Sequence, residues 1–259
     1  MSTISSSQTL TQSQADTLGW PITIAAGVTV TLSGSFALDA TNEYFIIGGA
    51  NAILHGDDNT ATVSVANYPG LVQNGTSGVN GYNCTVKNVI VAASGSGALE
   101  STKGWIGQRY FSKAATSTIT RCSSTATISD SSGGITGRQT ALASGNLTIS
   151  YCFSTGAISG TNAGGLTGIF SGQDGATITV TNCYSTGAVS GSSAGGIFGA
   201  YIGHNNGGGA GTIDVNNVYT TGAISGGNAK SLSRYVNGTV TLDDSYFPNA
   251  NNVAGNLYA

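Results

Sequence analysis

Apolar and polar side chains alternate strictly along short stretches of the chain. In TITVTN (177–182), Ile178 and Val180 alternate with Thr179 and Thr181. The same two-residue rhythm places Cys84/Val86, Ser117/Ile119, Leu147/Ile149, Ile213/Val215 and Val240/Leu242 on one side. Their neighbours Thr85/Lys87, Thr118/Thr120, Thr148/Ser150, Asp214/Asn216 and Thr241/Asp243 fall on the other. A period of two predicts strands with one face turned inward and one outward. The only helix expected is a short one near Ser13–Leu18.

Aligned on this alternation, the chain repeats itself. NLTISYCFSTGAISG (146–160) and TITVTNCYSTGAVSG (177–191) are nearly the same sentence. TSTITRCSSTATISD (116–130) precedes them, and TIDVNNVYTTGAISG (212–226) and TVTLDDSYF (239–247) follow. A worn copy, TVKNVIVAASG, begins at Thr85. One column reads Val89, Cys122, Cys152, Cys183, Val218 and Ser245, with steps of 33, 30, 31, 35 and 27 residues. After its first strand each copy passes a turn (STG), a second short strand (AVSG) and a third segment (GGIFGAYI, 195–202). Three short strands in about 30 residues fit one coil of an all-β parallel β-helix, hydrogen-bonded to the next coil about 4.8 Å away. Some eight or nine such coils are expected. Each residue then lies over its counterpart, so every column must hold residues that tolerate like neighbours. Cys, Val, Ile, Thr, Gly and Ala do, whereas stacked like charges repel.

Composition agrees with that constraint. Charged residues make up 7% of the 259 residues, against roughly a quarter in ordinary globular chains. The net charge is −3, with four Lys and four Arg scattered along the chain, which leaves phosphate-based nucleic-acid binding little to work with. No apolar run approaches the ~18 residues that insertion into a membrane needs. The N-terminal segment MSTISSSQTLTQSQADTLGW has neither a basic nor an apolar signal region, so the chain is expected to be made and kept in a cytosol, and Met1–Ser2 reads as a native start. The alternative is the cell surface, with the chain a fragment of a longer secreted protein. Cys84, Cys122, Cys152 and Cys183 form no CxxC pair, so they read as reduced core thiols, with no metal site and no cofactor.

The unit NCYSTGAVSG–AGGIFG (182–199) resembles the GLUG motif, and YCFSTGAISG–AGGLTG (151–168) repeats the resemblance. Looser copies lie at 121–137 and 217–234; in the last, Lys230 and Ser231 replace the Gly-Gly pair, which puts close chain approach there in question. GLUG repeats occur in large bacterial surface and adhesin-like proteins and are similar to right-handed parallel β-helix repeats, so the resemblance implies that handedness. It is indicative of a repeat architecture and says nothing of catalysis. Short β-helical chains of this kind also resemble virion components of large DNA viruses or phages, which implies a virion or a host cytoplasm as the location. The expected organisation is one continuous domain: an N-terminal cap (1–20), opening coils (21–84), GLUG-like coils (85–247) and a C-terminal cap (248–259). The segments from 22 to 75 are similar to the opening coils of phage tailspikes and polysaccharide lyases.

These resemblances imply a non-enzymatic structural or surface protein whose partners are other copies of itself or other virion or surface proteins. The alternative is a β-helix that binds or cleaves carbohydrate, as tailspikes and polysaccharide lyases do, with glycans as partners. Glycan cleavage requires convergent carboxylates. The adjacent pairs Asp57–Asp58 and Asp243–Asp244 converge poorly if on strands, and HGDDNT reads as a turn; no catalytic residue is assigned. The column Phe153, Tyr184, Tyr219 and Tyr246 is the candidate carbohydrate site, with inward packing of the rings the favoured alternative. Cys122, Cys152, Cys183 and Val218 are expected to form a structural ladder. GHNNGGGAG (203–211) reads as an inserted loop, because it lacks the lysine of a phosphate-binding loop.

Overall fold

A computed structural model of the chain describes residues 1–247. Residues 248–259, expected above as a C-terminal cap, lie outside the described residues. The chain opens with β1 (Ser2–Ile4) and β2 (Gln8–Leu10) and continues into α1 (Gln12–Leu18). Thr11 starts the helix through a capping box: its hydroxyl accepts the Gln14 amide, and the Gln14 side chain accepts the Thr11 amide at 2.8 Å. The helix buries Ala15 and packs Leu18 against the main core. Residues 1–20, expected as a cap, take part in the sheets. They supply two paired strands, β1 against β3 (Ile22–Ile24) and β2 against β4 (Thr29–Leu32).

The opening region continues with β5 (Phe36–Leu38), β6 (Phe45–Ile47), β7 (Ala52–Val63), β8 (Val72–Gln73) and β9 (Cys84–Ala93). The repeated region holds β10 (Thr116–Thr120), β11 (Ser123–Ser124), β12 (Asn146–Ser150) and β13 (Phe153–Ser154). It ends with β14 (Thr177–Ser185), β15 (Thr212–Thr220) and β16 (Thr239–Asp243). The fold is all-β with parallel sheets. One sheet runs β1-β3-β6-β8, and the larger one gathers the remaining strands. Pairings are parallel throughout the repeats, and they follow the letter alignment. Ile119 pairs with Val86 and Ile149, Ile149 with Val180, Val180 with Val215, and Val215 with Leu242.

Each copy bends at one residue. Asn88, Arg121, Tyr151, Asn182, Asn217 and Asp244 all have φ between 43° and 54°, or 55° at Asn182. This left-handed conformation is tolerated best by Asn and Asp. It inserts one residue into the alternation, so the buried positions step from Val180 to Cys183 rather than to residue 182. The two halves of β14 can thereby both face the interior. Where Arg121 and Tyr151 occupy the bend, the Arg121 guanidinium lies 5.9 Å from the Tyr151 ring centroid.

The later segments of each copy meet their neighbours more sparingly than the expected second and third strands. Ile128, Ile158, Val189 and Ile224 form a series of single bridges, as do Gly104, Gly133, Gly164, Gly195 and Lys230. At glycines of these segments the backbones approach so closely that a Cβ has no room: one on Gly187 would lie 1.9 Å from the Gly156 carbonyl oxygen. Lys230, where close approach was in question, keeps it; its amide donates to Ala194 O at 2.9 Å, and its carbonyl accepts the Gly196 amide at 2.9 Å. One of the atoms that crowds Gly164 belongs to the following copy, Gly199 N, whereas the described part of the copy after Lys230 ends at residue 247, before the corresponding segment.

The inward residues form one continuous apolar cluster from Ile4 to Leu232. A smaller one, built on Ile128, Ile158 and Val189 with Ala163 and Ala194, lies under the turns. Gly187→Ala is therefore expected to destabilise the protein by about 1–3 kcal/mol through overpacking. Gly227→Ala, where a Cβ meets nothing within 4 Å, should change stability by less than about 0.5 kcal/mol. Urea unfolding of the two variants checks the difference.

Candidate functional site

The structural ladder comes first, because it positions everything else. The Cys122 amide donates to Cys152 Sγ at 3.4 Å, and the Cys152 amide donates to Cys183 Sγ at 3.3 Å. Each thiol turns its own proton to a carbonyl two residues back: Cys152 to Ser150 O and Cys183 to Thr181 O, both at 3.2 Å. Val218 pairs with Cys183, and the Val218 amide donates to Ser245 Oγ at 3.2 Å. A hydroxyl thus substitutes for the thiol in the last copy. All four cysteines are free and buried. Cys84 belongs to a different column, facing Ser117 at 3.6 Å, with its thiol accepting from Asn74 Nδ2 at 3.2 Å. Burial pushes the Cys84 thiol up to about 12 and raises those of Cys152 and Cys183 well above the ordinary value.

Immediately after the ladder, the side chains turn outward. Phe153 pairs with Tyr184, Tyr184 with Tyr219, and Tyr219 bridges Tyr246. Phe153 and Tyr184 are half-buried, whereas Tyr219 and Tyr246 are 38% and 56% exposed. Inward packing of this column, favoured on sequence, is corrected: alternation past the ladder puts the rings on the surface. The Phe153 and Tyr184 rings stack at 4.9 Å with 3° between planes, and Tyr184 and Tyr219 at 5.1 Å with 10°. Stacking covers the faces of the inner rings and leaves their edges to solvent. A sugar ring docks on an aromatic face, and the faces between Phe153, Tyr184 and Tyr219 are turned to one another. Burial and the neighbouring Tyr219 hold the Tyr184 phenol above its ordinary value.

The acidic pairs do not converge. Asp57 and Asp58 both adopt left-handed backbone, with φ of 53° and 59°, at the register shift between His55 and Asn59. Asp243 Oδ2 accepts from Asn216 Nδ2 at 3.1 Å, while Asp244 occupies the bend. His55 lies 3.2 Å from Asn88 Nδ2, and His204 packs at 5.4 Å on Phe170. In the 203–211 loop, Asp174 Oδ1 accepts the Asn206 amide at 2.6 Å, and Asn205 Oδ1 accepts the Gly207 amide at 2.8 Å. These amides are taken up by Asn205 within the loop and by Asp174 of the preceding copy.

A second stack escaped the sequence reading. Gly107, Thr136, Thr167 and Phe198 bridge in series, so Tyr110, Gln139, Phe170 and Tyr201, three residues on, fall in one line. The Ile202–Val236 bridge adds Tyr235. Phe170 and Tyr201 stack at 5.2 Å, and Tyr201 and Tyr235 at 4.5 Å. The preceding column carries Arg109, Arg138 and Arg234, whose guanidinium carbons lie 4.4, 5.2 and 4.6 Å from the rings of Tyr110, Phe170 and Tyr235. The mixed Tyr, Gln and Phe lettering of the line hid it; the constant three-residue distance from the bridge position was the available signal.

Comparison with family models, curated proteins and solved structures finds no match to this chain. Among the described residues, no helix is long and apolar enough to cross a membrane.

The raised thiols make stability depend on pH. An unfolded thiol ionises near 9.0, so above that pH the folded chain holds more protons than the unfolded one. Their contribution is complete below pH 9 and falls as pH rises from about 9 towards 12 for Cys84, by at most about 1.4 kcal/mol per pH unit per thiol. Urea unfolding under reducing conditions should give a lower stability at pH 10 than at pH 8, and Cys152→Val should narrow the difference while Cys84 and Cys183 keep part of it. Equal stabilities would contradict the burial of these thiols. In the outer stack, Tyr184→Ala should cost about 1–2 kcal/mol. Tyr246→Ala, at the exposed end, should cost less than about 0.5 kcal/mol by thermal unfolding.

Proposed function

We propose that the chain winds as a right-handed parallel β-helix of eight or nine coils, three segments to a coil, with GLUG-like repeats over 85–247. Its role is that of a non-enzymatic structural rod, a component of a virion or an adhesin-like surface, joined to further copies of itself or to other particle or surface proteins. The observation that carries this reading is registry. From β10 to β16, counterpart residues of successive copies pair in parallel without a slip. Backbone hydrogen bonds then run along the array, each copy shields the next, and stability becomes a sum of neighbour contacts suited to a rod. The paired carboxylates and inner aromatic rings are committed to bends, amides and each other, which weighs against the carbohydrate-cleaving alternative.

Mass spectrometry of purified particles and of cell-envelope fractions from the source tests the role. The protein is expected as a stoichiometric component of one of them, resistant to protease while assembled. Recovery only as a soluble protein, absent from both, would overturn the structural reading.

A further inference from the structure

The second stack carries more positive charge than its surroundings use. Among the described residues the one ion pair joins Lys103 and Glu100 at 3.8 Å, so Arg109, Arg138 and Arg234 face no carboxylate partner. Arg109 spends two N–H groups on Gln139 Oε1, at 3.2 and 2.7 Å. Arg138 Nε, Arg234 Nε and His204 Nδ1 are shielded from solvent and have no hydrogen-bond partner. Arg138 stands one copy from Arg109. Burial and, second, the charge of Arg109 pull its guanidinium below the ordinary value. Unanswered donors and adjacent like charges are both unfavourable unless an acceptor anion completes them. The ring edges presented between the arginines carry the positive side of the aromatic quadrupole, and the Tyr201 and Tyr235 hydroxyls add donors.

We propose that this column, from Arg109 to Arg234, is the binding site for a linear acidic polysaccharide whose carboxylate or sulfate groups pair with these half-buried guanidinium groups, which make no ion pair among the described residues. The disposition favours a polymer over a lone anion. Arg109 and Arg138 are one copy apart and Arg234 is three copies further, so at strand spacing the charges span about 19 Å along one line. A single-stranded nucleic acid would need open ring faces to stack its bases, and here the faces are turned to one another and to guanidinium groups. An acidic peptide motif is also recognised by arginine clusters, and poly-glutamate is therefore its comparison in the test. A glycan meets the same line with anions for the arginines and hydroxyls for the Tyr201 and Tyr235 phenols. The site rests on the rod reading only for the line-over-line arrangement.

Calorimetric titration of the full-length protein at low salt tests the site, using oligogalacturonate and heparin-derived oligosaccharides. Neutral dextran, sodium sulfate, poly-glutamate and a single-stranded oligonucleotide serve as comparisons. Saturable binding of at least one acidic glycan is expected, weakening as salt rises and stronger than that of every comparison. R109Q and R138Q should each weaken it about tenfold. R121Q removes the same charge from the Tyr151 bend, outside the column, and should leave binding unchanged. Should R138Q not fold, R234Q at the far end carries the same test. The proposal is overturned if no acidic glycan binds, or if poly-glutamate, the oligonucleotide or sulfate alone binds as tightly. It is equally overturned if R121Q weakens binding as much as R138Q. None of these outcomes bears on the protein's presence in particles or envelopes, so the two readings fail separately.

Discussion

The constraint on which the structure depends is that each residue of a copy lies against its own counterpart, at the spacing of one parallel strand pair. A column cannot choose its neighbours; it meets itself. The Cys122–Cys152–Cys183 line shows how this is met chemically, since a thiol both accepts the amide of the copy before and donates to its own chain. Ser245 performs both functions through oxygen, while Val218 performs neither and fills the position by bulk alone. The column therefore selects size first and hydrogen bonding second. Like charges cannot be stacked in this way without mutual repulsion, which is why a chain with 11 acidic and 8 basic residues among 259 can afford the repeat at all.

How far this was legible depended on whether a column keeps its letters. The first strands were readable because Ile149, Val180 and Val215 are apolar at one fixed phase, and their pairings fall where the alignment places them. The bend was not, because its backbone conformation is shared by Asn182, Arg121 and Tyr151, side chains with nothing in common. Only the extra residue in the alternation marks it. The later segments read as strands but touch through single bridges, since glycine offers close approach in place of a pleated side-chain surface. The outward turn of Tyr184 follows from the bend as well: one inserted residue puts Cys183 inside, and the ring after it must face out. Missing the bend and misjudging the column were one error.

The two aromatic stacks show that the same geometry can close a surface or leave it chemically open. Between Phe153, Tyr184 and Tyr219 the planes are within 10° of parallel, and the rings satisfy one another. In the second stack the planes are tilted by 20° and 23°, and its ends and flank are occupied by guanidinium groups and an imidazole. Stacking consumes the negative ring faces in both cases. What remains outward is the positive edge, so a surface made of stacked rings favours anions even before a cation is added to it.

That preference explains why arginine, and not lysine, accompanies the rings. All four arginines of the chain lie over an aromatic ring, at 4.4 to 5.9 Å. A planar guanidinium can stack on the ring with one face while its rim of N–H groups points sideways, whereas an ammonium must give up hydration to approach at all. The terminal N–H groups of that rim can then meet an acceptor in the plane of the stack. At the Tyr151 bend one such guanidinium supports a left-handed residue. In the Arg109–Arg138–Arg234 column three lie along one line, and two of them keep a shielded Nε with nothing to bond. Registry forces like residues into line; in this column it has aligned donors, and donors in line are complementary to a ligand that carries its acceptors in the same order.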